Sequence, residues 1–209
     1  MTSITKQHIV QWLESAAARF AQEKDYLTEL DRQIGDADHG INMNRGFAKV
    51  MEKLPEMADK DIGTIMKTTG MALLSSIGGA SGPLYGTLFL RGATSTAGKE
   101  ELDVAELTVM LRDGLQGVQQ RGKAVAGDKT MVDTWLAIID SLESSPNAPL
   151  AEALKQAHTA SEQAMLSTID MQARKGRASY LGERSIGHLD PGATSSHYLF
   201  SELCKVVMS

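Results

Sequence analysis

Cysteine is nearly missing from this chain of 209 residues: the single Cys204 cannot close an intrachain disulfide, which excludes the disulfide-stapled secreted scaffolds. Its apolar C-terminal neighbours fit a buried thiol in a reducing compartment. No stretch approaches the roughly 18 apolar residues of a membrane-spanning helix. The N-terminal segment MTSITKQHIVQWLES also lacks the apolar core of a signal peptide, so the expectation is a cytoplasmic protein with no membrane partner. Positive charge is scarce as well. With 21 Lys and Arg against 26 Asp and Glu, the net charge of -5 offers no long basic stripe to neutralise a nucleic-acid backbone. Strand signals are missing too, since no convincing run alternates apolar and polar residues with period two.

What is present is helical periodicity. Ile9, Val10, Leu13, Ala17 and Phe20 mark a helix from Thr5 to Gln22. Met43, Phe47, Val50, Met51 and Leu54 mark a second, which Pro55 is expected to stop. A third runs from about Asp61 to Ser76, and a fourth, with Pro83 in its first turn, to about Ala93. A fifth spans Asp103 to Gln120 and closes at Gly122; a sixth follows AVAGDKTM, capped by Asp128 or Thr130. A seventh is expected from Leu150 to about Arg174, and an eighth from about Ala193 to Val207. The fold class is therefore all-α: an eight-helix antiparallel up-and-down bundle or barrel, forming one domain over residues 1–209.

The chemistry concentrates in LDRQIGDADHGINMNRG, residues 30–46, which carries Asp31, Asp36 and Asp38. Carboxylates this close repel one another, and a fold that gathers them supplies a cation or raises a pKa. A calcium loop starting at Asp36 would need Gly and Glu where Ile41 and Phe47 stand. Mg2+ suits the cluster better, because it takes a few carboxylates and completes its shell with water and phosphate oxygens. The competing reading is an Asp-rich turn in which Asp38 or Asn42 caps the next helix.

Two further loops bear on this choice. SSIGGASGPLYG, residues 75–86, is the most glycine-rich stretch and precedes a helix start, where free N–H groups attract anions. RKGRASYLGERSIGHLDPGATSS, residues 174–196, combines Arg174, Lys175, Arg177 and Arg184 with a long glycine-rich loop. GVQQRGK, residues 117–123, only mimics a phosphate-binding P-loop: Ala124 stands where Ser or Thr should hold the metal, and a helix precedes it instead of a strand. The unusual loops follow the first, third, fifth and seventh expected helices. In an up-and-down arrangement that parity puts them at one end.

Taken together, GDADHG, SSIGGASGPLYGT, RGKAVAGDKTM, ARKGRASYLGERSIGH and DPGATS resemble the nucleotide-binding L-subunit family of bacterial dihydroxyacetone kinases, in order and over essentially the whole chain. The family also includes the C-terminal domain of single-chain ATP-dependent kinases. The resemblance implies a barrel of eight amphipathic helices with ADP or ATP and two Mg2+ at one mouth. It implies Asp31, Asp36 and Asp38 as metal ligands, and phosphate contacts from the backbone of His39, Gly40, Ile41 and Asn42 and from Ala80 and Ser81. Gly122 and Met131 would line the adenine pocket, Arg177 would act catalytically at the phosphate end, and Asp190, Pro191 and Gly192 would close over the nucleoside. The implied activity is phosphoryl transfer to dihydroxyacetone held on a separate K subunit. In the phosphotransferase-dependent branch, a phosphohistidine-carrying M subunit recharges bound ADP; in the other branch, free ATP exchanges. A transcription regulator is a further partner that such a subunit could have.

Two other readings compete. A helical scaffold or regulatory module would leave the glycine and arginine loops without a reason. Direct phosphorylation would need a histidine at the site, and of His8, His39, His158, His188 and His197 only His39 and His188 lie in the site loops.

Overall fold

Thr5 and His8 cap each other's backbone N–H, and this reciprocal cap starts the first helix, α1 (Lys6–Gln22). The structure, a computed structural model, describes residues 2–209. The strand β1 (Ile4–Thr5) precedes α1. After it come α2 (Lys24–Ile34), α3 (His39–Met57), α4 (Ile62–Ser76), α5 (Ser81–Ser95), β2 (Glu101–Leu102), α6 (Val104–Gly122), α7 (Met131–Ser144), α8 (Leu150–Ser167) and α9 (Pro191–Met208). Two 3-10 segments, Thr168–Asp170 and Arg177–Ser185, lie between α8 and α9.

The helices form a ring. α1 packs on α3, each helix from α3 to α8 packs on its successor, α8 packs on α9, and α9 returns to α1. The few aromatic side chains serve the interior of this ring. Trp12 stacks on Phe89 at 5.6 Å between centroids, Phe47 meets Phe89 at 6.5 Å, and Phe20 meets Phe47 at 4.7 Å, which ties α1, α3 and α5 together. On the other side Trp135 of α7 meets Phe200 of α9 edge-on. Each such buried ring contributes about 1.5–3 kcal/mol. Trp12 Nε1 also donates to Leu199 O at 2.7 Å, stitching the α1–α9 seam that closes the ring.

The all-α class holds, with differences in detail. There are nine α-helices among the described residues instead of eight. The extra one, α2, is hidden because a single residue, Glu23, separates it from α1 and it ends inside the aspartate stretch. The ladder runs through the junction, with Glu23 N–H bonded to Arg19 O and Leu27 N–H to Glu23 O, both at 2.9 Å. α1 and α2 are thus one bent rod, and the parity of the later loops is unchanged. Pro55 does not stop α3, which continues to Met57, because Met57 is buried and the Ala58 N–H closes the last turn on Leu54 O. α8 stops at Ser167, well short of Arg174, where the buried Thr168 turns its hydroxyl back to Met165 O and the chain tightens into 3-10 geometry. The antiparallel pairing of β1 with β2 is two residues long, too short for any periodicity to reveal. No helix among the described residues is long and apolar enough to cross a membrane.

Candidate functional site

The loops after α2, α4, α6 and α8 meet at one end of the ring and enclose a cavity of about 470 Å3, a size suited to a small organic ligand. Part of its lining is acidic. One oxygen from each of Asp31, Asp36 and Asp38 lies within 4.8 Å of the others. Asp31, on the last turns of α2, is buried and accepts two backbone N–H groups through Oδ2, from Asp38 at 2.8 Å and His39 at 3.1 Å. Those bonds satisfy donors at the start of α3 and fasten the turn that carries the other two carboxylates. The turn has a local cost: Ala37 sits at φ 61, a left-handed conformation unfavourable for a residue with a side chain. Gly35 is required beside it, because a Cβ there would lie 2.1 Å from Asp31 Oδ1. An oxygen-only donor set converging this tightly fits a hard divalent cation.

Arg177, from the 3-10 segment, forms an ion pair through Nε with Asp36 Oδ2 at 2.8 Å, so the basic loop reaches the acidic cluster. On the other flank, His39 is buried with both ring nitrogens engaged. Nδ1 lies 3.0 Å from Ser81 Oγ and Nε2 lies 2.8 Å from Ser195 Oγ. Ser195 Oγ is in turn 2.6 Å from the hydroxyl of Tyr85, which also meets Ser196 Oγ at 2.9 Å. Burial pulls the imidazole down to about 4 against the opposing charge of Asp38, so the ring is neutral near pH 7. Burial likewise raises the Tyr85 hydroxyl, which stays protonated. A neutral, doubly bonded imidazole is a positioning group for the Ser81 hydroxyl and has no free nitrogen to carry phosphate, which removes the support for a phosphohistidine at this position. His188 bonds Gln33 Oε1 at 3.0 Å on the surface.

Asp190 caps α9, its Oδ2 accepting Ala193 N–H at 2.7 Å, and Pro191 occupies the first turn. Burial pushes its carboxyl up to about 7, with the Ala193 bond and the Lys129 charge opposing that rise. Thr130 caps α7 in a reciprocal cap with Asp133, so of the two residues expected there it is Thr130 that caps.

Of the residues expected at the site, Asp31, Asp36, Asp38, His39, Ala80, Ser81, Gly122, Met131, Arg177, Asp190, Pro191 and Gly192 all line the cavity. Gly40, Ile41 and Asn42 do not. Gly40 serves helix packing, since a Cβ there would lie 1.9 Å from Lys24 O in α2. Ile41 is exposed, and the Asn42 carboxamide accepts from Arg45 Nη2 at 2.7 Å. Sequence reasoning missed the His39 side-chain network with Tyr85 and Ser195, whose partners are distant in the chain. It also missed Lys129, a buried lysine in the cavity wall. The only signal for Lys129 was its place between Gly127 and a capping threonine.

Comparison with known proteins agrees with this geometry. The family described as the DAK2 domain matches residues 33–205. The chain is 58% identical over 203 residues to the "PEP-dependent dihydroxyacetone kinase, ADP-binding subunit DhaL" of Escherichia coli, covering 96% of this chain and 97% of that one. It is 42% identical over 204 residues to an ADP-binding subunit DhaL of a PEP-dependent dihydroxyacetone kinase from Listeria innocua, covering 98% of each. Among solved structures, the native dihydroxyacetone kinase of C. freundii superposes with a TM-score of 0.74 at 22% identity, over 94% of this chain and 34% of that one. The same kinase in complex with AMP-PNP and Mg2+ gives a TM-score of 0.72, also at 22% identity, over 94% of this chain and 33% of that one. At that identity the likeness speaks for the fold. With the family matched over most of its length and full-length relatives on both sides of 50% identity, the chain belongs to the DAK2 domain family, alongside the ADP-binding subunits of bacterial dihydroxyacetone kinases.

Proposed function

We propose that this chain is the nucleotide-binding subunit of a phosphoenolpyruvate-dependent dihydroxyacetone kinase, with residues 1–209 acting as one domain in the cytoplasm. It holds ADP or ATP and relays a phosphoryl group from a phosphohistidine-carrying M subunit to dihydroxyacetone on a K subunit. The observation that carries the reading is the convergence of the three carboxylates, the glycine loop and Arg177 on one cavity of nucleotide size.

The residues divide the work by their chemistry. Asp31, Asp36 and Asp38 would hold two Mg2+, which would neutralise the phosphate charge of a bound nucleotide. The Gly79–Ser81 loop offers backbone N–H groups at the start of α5, and His39 fixes the direction of the Ser81 hydroxyl beside them. Arg177 brings a positive charge to the phosphate end. Met131 and Gly122 form the apolar wall for the base, and the Asp190–Gly192 turn closes the sugar side. The cavity holds no second substrate site of its own on this reading; the triose comes with the K subunit. A transcription regulator would be a further partner.

The test uses protein loaded with radiolabelled ADP, excess unlabelled nucleotide, the K subunit, dihydroxyacetone and the phosphoenolpyruvate-fed phosphotransferase proteins. Label retained through many turnovers supports the relay. Label lost at the turnover rate, with free ATP alone sustaining activity, would assign the chain to the ATP-dependent branch. No MgADP binding at all would leave a helical scaffold.

A further inference from the structure

Lys129 is 1% exposed, yet it carries a cation into the wall of the cavity. Its backbone is at φ 62, a conformation in which glycine is cheaper than any residue with a Cβ. The side chain makes use of that conformation by reaching across two other segments. Nζ donates to Thr168 O, at the end of α8, and to His188 O, just before the Asp190–Gly192 turn. Thr168 O also accepts the Met171 N–H at 3.2 Å, so the buried ammonium adds a second donor there and supplies one to His188 O.

The segments that Lys129 joins are wired to each other and to the rest of the mouth. Thr168 Oγ1 accepts the Asp190 N–H at 3.1 Å, and Ile169 O accepts the Gly187 N–H at 2.7 Å. The Arg174 N–H reaches Asp128 O at 3.1 Å, which ties the loop holding Lys129 to the start of the basic segment that ends at Arg177. The loop itself is held rigid by Asp133, whose two oxygens accept Gly127 N–H at 2.6 Å and Thr130 N–H at 2.8 Å.

We propose that Lys129 is a positioning residue of the nucleotide site: its buried ammonium cross-links the loop after α6, the end of α8 and the Asp190–Gly192 turn, and so sets how slowly nucleotide leaves. The inference rests on the nucleotide-site reading above and assigns a determinant of release to it. Burial lowers the lysine pKa while Asp190 and Asp170 support its charge, so the cross-link depends on neighbours that it also holds in place.

The experiment compares the wild-type full chain with Lys129→Met and Lys129→Gly. Met keeps the length of the side chain and loses the charge; Gly removes the backbone strain and the side chain together. Release of a fluorescent ADP analogue, chased with unlabelled MgADP, should quicken by about tenfold or more in both variants, the effect expected from losing charge-assisted hydrogen bonds. n-Butylammonium added to Lys129→Gly should slow release again, because it can refill the vacated space with a cation, whereas Lys129→Met should not respond. Amide exchange of residues 168–190, followed without nucleotide, should quicken in both variants. A wild-type release rate in Lys129→Gly would overturn the proposal, since the position would then need only its backbone conformation. Faster release with unchanged exchange at 168–190 would also overturn it, by pointing to direct contact with the nucleotide. If the wild type bound no MgADP, the site reading would fall separately; the exchange data would still decide whether Lys129 positions these segments.

Discussion

Arg177 Nε pairs with Asp36 Oδ2 at 2.8 Å, so one of the three clustered carboxylates is already engaged by a guanidinium. Both side chains are partly exposed, and such a pair contributes little to stability. Its importance lies in competition. Replacing Arg177 with Ala should tighten Mg2+ binding to the nucleotide-free protein by a few fold, while phosphoryl transfer with the partner subunits falls by about a hundredfold or more for want of a cation at the phosphate end. Calorimetric Mg2+ titration and reconstituted turnover check the two halves; weaker Mg2+ binding in the variant would refute the competition.

The three aspartates should separate on mutation. Asp36→Asn and Asp38→Asn each remove repulsion from the cluster without removing Asp31 Oδ2, which accepts two N–H groups, so the metal-free fold should be as stable as wild type or slightly more so. Asp31→Ala leaves the N–H groups of Asp38 and His39 without their acceptor and should cost about 1–3 kcal/mol. All three should lose MgADP affinity. Urea denaturation and calorimetry separate structural from ligand effects, and unchanged MgADP affinity in the Asp36 and Asp38 variants would take those residues out of the metal shell.

The His39 network predicts a coupling over a long sequence separation. Ser195→Ala leaves the buried Nε2 of His39 without its partner at 2.8 Å and should destabilise the protein by about 1–3 kcal/mol. Because the ring then loses one of its two anchors, ADP should also bind more weakly through the loosened Ser81. In a double-mutant cycle, Ser195→Ala and Ser81→Ala should be non-additive for ADP affinity; strict additivity would show that the imidazole does not connect them.

Stability should carry two opposed pH dependences. Burial pulls the His197 imidazole down to about 4, with His158 adding to the effect, Glu162 opposing it and Arg19 adding again. The folded state therefore holds a neutral ring, and its contribution is present above the unfolded value near 6.5 and lost as pH falls toward 4. Asp190, pushed up to about 7 by burial, runs the other way: its contribution is present below the unfolded value and lost as pH rises through 7. Urea denaturation from pH 4 to 8 should show His197→Gln losing less stability than wild type on the acid side, and Asp190→Asn losing less on the alkaline side. Parallel curves for wild type and both variants would contradict these assignments.

The local patterns in the chain were sufficient wherever the physics is local. Period-3.6 spacing of large apolar residues determines an all-α protein, and three aspartates within eight positions determine that their carboxylates must be compensated together. The motif order, read through family resemblance, determined the class of ligand. Tertiary structure decided the rest. α2 was unreadable because its ladder continues that of α1 through Glu23, and Asp31 faces inward from a helix that resembled a loop. Gly40 reads as a backbone phosphate contact, and only the packed helices show that it must also be glycine because Lys24 O of a neighbouring helix occupies the space of its Cβ. His39 and Ser195 stand 156 positions apart, and Lys129 and His188 stand 59 apart. Hydrogen bonds of that kind exist only once the ring has closed, because the sequence fixes which groups need partners and the packed helices alone fix which partners lie within reach.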